Sequence, residues 1–95
     1  MPLVPPPQYV HAPTIPVIER VVSREQVDRE CHLMYPRSKA GRFDACAGFV
    51  MIDGKRTCLI WMINDDSLRA HEMAHCNGWP ADHSGGIPDR PWGRD

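Results

Sequence analysis

The sequence has no CxxC pair, no glutamate after Glu72, no methionine after Met73 and no sustained apolar run. Four singly spaced cysteines, Cys31, Cys46, Cys58 and Cys76, disfavour a cysteine-built zinc knuckle. They leave two choices open, buried thiols or two disulfides in any of three connectivities. No stretch approaches the roughly 18 apolar residues that a membrane-crossing helix needs. The opening "MPLVPPPQYVHAPTIPVIERVV" lacks the charged, apolar and small-residue regions of a secretory signal. The chain as given is expected to be cytoplasmic, or periplasmic or secreted if a signal peptide was removed, and its residues do not choose between them. Neither sign of charge is in excess, with 11 Lys plus Arg against 12 Asp plus Glu, and the basic residues are scattered. Neither a nucleic-acid partner nor a membrane is expected. Internal repeats are absent.

Ninety-five residues allow one small domain. Six prolines between Met1 and Pro16 make residues 1–18 an expected extended arm, because proline fixes φ and cannot donate a backbone hydrogen bond. Residues 19–95 are expected to form the domain, with folding beginning near Glu19 or Ser23 and an irregular tail "SGGIPDRPWGRD". A core this small supplies only about 3–5 kcal/mol, so a metal or disulfides would be a natural supplement.

Ser23 and Gln26 form a capping pair for a helix through "REQVDRECHLMY", ended by Pro36. Its apolar stripe is Val27, Cys31, Met34 and Tyr35. "RSKAGRFDA" reads as a loop. "CAGFVMIDGKRTCLIWMI" reads as a hairpin over about 46–52 and 55–63, because Asp53-Gly54 suits a type I′ turn. Its second strand, apolar on both faces, should be the more buried, and the first nearer an edge. Asn64 to Ser67 offer N-caps for a second helix over about 67–77, which Gly78 would end in a left-handed conformation. The expected fold class is therefore α+β.

That second helix carries "HEMAHCNGWPADH". His71 and His75, four residues apart, lie on one helical face and can share one metal ion. Glu72 projects about 100° away, so it can reach a metal-activated water without being a ligand. Catalytic zinc usually has three protein ligands. His83 is the preferred third, with Asp82 the alternative, as a ligand or as an acceptor that orients a histidine. Cys76 is expected to be buried or disulfide-bonded, and Trp79 and Pro80 to wedge the turn after the helix. His11 and His32, being isolated, receive no role.

"HEMAH" with Gly78 resembles the active-site helix of the zincin metallopeptidases, and its HExxHxxG pattern is similar to the metzincin branch. The resemblance implies a minimal zincin-like domain: a backing helix, a small sheet and an active-site helix. It implies one Zn2+ per chain on His71, His75 and a third ligand, with Glu72 as general base in peptide-bond hydrolysis. Its strong part is about thirteen residues long. The chain departs from the metzincin pattern, which puts the third histidine where Ala81 stands and needs a later methionine. The gluzincin pattern needs a later glutamate, and an aspartate-ligand zincin would use Asp82. The substrate would be a peptide or protein, added as a strand to the hairpin edge, with specificity supplied by a partner protein or the arm. Tyr35, Lys39 and Arg42 are the available second electrophiles. The alternatives are a non-catalytic zinc-stabilised binding module and a metal-free interaction protein built on hairpin and arm.

Overall fold

The computed structural model describes residues 4–86; most of the expected irregular tail lies outside the described residues. After a 3₁₀ turn at Pro7–Tyr9, three strands and two α-helices follow in chain order: β1 (Val17–Val21), α1 (Arg24–Met34), β2 (Ala45–Ile52), β3 (Lys55–Met62) and α2 (Asp66–Cys76). The domain is α+β, with a three-stranded mixed sheet in the order β1-β3-β2. None of its helices is long and apolar enough to cross a membrane among the described residues.

The β2–β3 hairpin forms as the Asp53-Gly54 pair dictates. Both residues have positive φ, 50° and 76°, and Ile52 pairs with Lys55 across a two-residue turn. β3 is central, pairing antiparallel with β2 and parallel with β1. The parallel strand β1 is not among the elements expected from sequence. Val17 to Val21 is short, follows Pro16, and gains its partner only when β3 is folded beside it.

Side chains alternate across β3 and serve two cores. Cys58, Ile60 and Met62 face α2, packing with Ala47, Met73 and Cys76. Trp61 and Ile63 face α1, packing with Val27, Cys31 and Cys46. A disulfide pins a helix to the sheet on each face. Cys31 of α1 is bonded to Cys46 of β2, and Cys58 of β3 to Cys76 of α2. Each bridge closes a loop whose ends are 15 or 18 residues apart, and each contributes about 3 kcal/mol through the denatured state in the chain-entropy account.

The helix caps follow the local sequence. Ser23 accepts from the Gln26 backbone N–H at the start of α1, and Asp65 accepts from Ser67 at the start of α2. Arg69 ties α2 to β1 by donating to Glu19, and it also reaches Asp66.

Tyr35 departs from its expected place in the apolar stripe. It is the C-cap of α1, and its hydroxyl donates to the carbonyl of Ala47 in β2. The Asp44 carbonyl accepts from Ile63, so strand alternation turns the backbone polar groups of Ala45, Ala47 and Phe49 away from β3, onto the free edge of the sheet. Tyr35 thus caps one edge carbonyl. Gly48 lets the end of α1 come this close, since a Cβ there would lie 2.5 Å from the Met34 sulfur. Gly48→Ala should force the flexible Met34 side chain to move and cost about 1 kcal/mol. Thermal melting should then show a fall of roughly 4–8 °C.

Candidate metal centre

α2 ends in a Schellman motif. The Trp79 N–H donates to the Ala74 carbonyl and the Gly78 N–H to the His75 carbonyl, with Gly78 at φ 103°. The chain then reverses through two turns closed by the His83 N–H to Pro80 carbonyl bond and the Gly86 N–H to His83 carbonyl bond. His83, between them, has φ 61°, a left-handed conformation uncommon for a residue with a side chain. That conformation accompanies a side chain aimed back at α2.

There, three imidazoles converge. His71 Nε2 and His83 Nε2 are 3.1 Å apart, His75 and His83 3.2 Å, and His75 and His71 3.3 Å. Three nitrogens bound to one tetrahedral zinc at about 2.0–2.1 Å would be about 3.3–3.4 Å apart. Their spacing therefore fits one ion with a fourth position left open. The tautomer of His75 agrees with this. Its Nδ1 lies 2.9 Å from the Trp79 carbonyl, which can only accept, so Nδ1 carries the proton and Nε2 presents a lone pair. Burial lowers the His75 pKa, and the neighbouring His71 and His83 lower it further, although the Trp79 carbonyl acts the other way. A neutral imidazole is the form that binds metal.

Asp82, the alternative ligand, is turned elsewhere: its carboxylate accepts from the backbone N–H and the hydroxyl of Ser84 and is fully exposed. Among the described residues, His71, His75 and His83 form the one group of histidine, cysteine or acidic side chains placed to share a metal. Cys76 is not available as a ligand, being bonded to Cys58. His32 lies against Asp28 and Phe43, and His11 against the carbonyl of Ala12, both away from the cluster.

Glu72 is 6% exposed and lines the same cleft as the three histidines. Burial pushes its pKa up to about 7. The cleft, about 870 Å³, runs from the histidines past Glu72 to the outer edge of β2 and is walled by Tyr35 and Phe43. Burial, and then the charge of Glu72, raise the Tyr35 pKa, so the phenol stays protonated. Lys39 and Arg42, also available electrophiles by sequence, do not line the cleft; Arg37 and Arg56 do.

Trp79 holds more of the site than the wedge expected from sequence. Its ring stacks on His75 at 4.8 Å and meets His71 and His83 nearly edge-on at 5.0 Å. Its carbonyl orients His75, and its indole N–H donates to the Ser84 carbonyl, next to His83. The signal available in sequence was position alone: a tryptophan directly after the helix-ending glycine. Comparison with protein-family models, with curated proteins and with solved structures finds no match for this chain.

Proposed function

We propose that the chain is a minimal, zincin-like, zinc-dependent metallopeptidase that hydrolyses peptide bonds in an extended peptide or protein. The observation that carries this reading is the convergence of His71, His75 and His83 Nε2 within 3.1–3.3 Å, in a cleft shared with buried Glu72. Zinc held there would supply a Lewis acid that acidifies a bound water and stabilises charge on the scissile carbonyl oxygen. Glu72 takes the proton of the attacking water and returns it to the leaving amine. A group with a pKa near 7 suits both halves of that transfer. Outward-facing backbone groups of Ala45, Ala47 and Phe49 align the substrate as an added strand, and its own N–H groups can take the acceptor that Tyr35 now occupies on Ala47.

A catalytic role is favoured over a purely structural zinc by the disulfides. Each helix is already covalently fixed to the sheet, so the fold does not depend on an ion to hold α2 in place. The reading is tested by elemental analysis of protein purified without added zinc. One zinc per chain is expected. His83→Ala should weaken zinc binding about 100-fold, at the upper end of the effect of removing groups that merely support ligands. A wild-type chain that takes up no zinc after incubation with it would end this reading.

A further inference from the structure

The third histidine arrives on residues 78–86, a segment of turns with no helix or strand of its own. Such a loop places a ligand well only if other groups hold it. Trp79 holds its inner side. The proline-rich arm touches it on either side of His83.

The arm is ordered by short-range geometry: Pro7–Tyr9 forms a single 3₁₀ turn, and Pro6 is buried. Asn77, the C-cap of α2, spans the gap. Its Nδ2 donates to the carbonyls of both Tyr9 and His11, each at 2.8 Å. A Cβ on neighbouring Gly78 would lie 4.0 Å from the Tyr9 ring, and a Cβ on Gly85 would lie 3.2 Å from Pro6 Cγ. The arm therefore contacts the loop at residues 77–78 before His83 and again at Gly85 after it. Glycine at 85 is required twice, by its φ of 74° and by the closeness of Pro6. The proline run also limits the states the arm can visit when detached, which lowers the entropy lost on docking.

We propose that the N-terminal arm, clasped through Asn77, positions His83, so that residues more than sixty positions before the HExxH helix end set the affinity of the metal site. This rests on the metal-site reading above. Without the clasp the 78–86 segment samples other conformations, and the ordering cost is charged against metal binding. The Asn77 amide donates to the arm carbonyls of Tyr9 and His11. Asn77 is a positioning residue that acts through the loop.

The test is a double-mutant cycle on the full-length chain, read as zinc affinity by competition with a chromogenic chelator. Asn77→Ala is expected to weaken zinc binding about tenfold, the lower range for groups that orient ligands. In a His83→Ala background the same substitution should change affinity less than twofold, because no third ligand remains to be positioned. The visible spectrum of the Co2+-loaded protein adds a readout that general stability does not move. Asn77→Ala should shift the wild-type spectrum toward that of His83→Ala. Unchanged affinity in Asn77→Ala, or an equal loss in the His83→Ala background, overturns the proposal while leaving the metal site intact. No zinc binding by the wild type removes the metal-site reading and the clasp with it. If circular dichroism shows that Asn77→Ala has not folded, Pro6→Gly carries the same cycle with the same two results.

Discussion

Glu72→Gln is expected to reduce peptide turnover about 1000-fold while leaving zinc content unchanged, within the range found for removal of a general base. Gln keeps the volume and the planar end of the side chain, so the buried site around it need not repack. What it loses is the ability to accept a proton. His71, His75 and His83 approach one another through their Nε2 atoms without involving residue 72, so the metal-binding set survives. The check is hydrolysis of a fluorescently labelled unfolded protein by the zinc-loaded wild type and variant, with zinc measured in both samples. A wild type that binds one zinc and cleaves nothing, with Glu72→Gln behaving identically, would favour a zinc-stabilised binding module. Cleavage by both at the same rate would remove Glu72 from the chemistry.

A variant at Tyr35 would report differently, because Tyr35 is joined to the sheet edge by its hydroxyl and not to the histidines. Its place in the cleft comes from the ending of α1, whose last residue, Met34, packs against the bare Cα of Gly48. Neither feature has a periodic signature. The spacing of Val27, Cys31, Met34 and Tyr35 puts the last of these on the apolar stripe, yet the helix stops at Met34 and frees Tyr35 to turn away. Local patterns were enough elsewhere. Asp53-Gly54 fixed the hairpin register, and Asp65 to Gly78 bounded α2 within a residue or so of expectation.

What sequence left open was non-local. β1 exists because β3 offers it a parallel neighbour 41 residues on, at the Val17–Cys58 pair. The cysteine pairing depends on α1 and α2 lying on opposite faces of the sheet, which the spacing of four cysteines does not encode. His83 and Asp82 are adjacent in sequence, and only the turns after Gly78 send one to the histidines and the other to Ser84. The arm is the same kind of case: its prolines announce an extended segment, whereas its docking partners, the Asn77 amide at the end of α2 and Gly85 after His83, are distant in sequence.

The buried carboxyl also leaves a thermodynamic mark on the zinc-free protein. Glu72 has its pKa raised from an ordinary 4.5 to about 7, chiefly by burial. A carboxyl with a raised native pKa is retained protonated by the folded state. Its contribution is fully present below pH 4.5 and is lost as pH rises through 7. At about 1.4 kcal/mol per pH unit this amounts to roughly 3 kcal/mol. His75 acts in the opposite sense. Its native pKa is lowered below 6.5, so the unfolded chain binds the extra proton and stability rises with pH through that region. The two slopes oppose one another in the wild type. Glu72→Gln removes the first slope and exposes the second. Denaturant unfolding of the zinc-free proteins should show no difference near pH 4 and an advantage of about 3 kcal/mol for Glu72→Gln at pH 8. Saturating zinc should shrink that advantage at high pH, since a nearby cation favours the carboxylate. A constant difference at every pH would mean that Glu72 ionises as easily in the folded chain as in the unfolded one, and that the cleft is wetter than its burial implies.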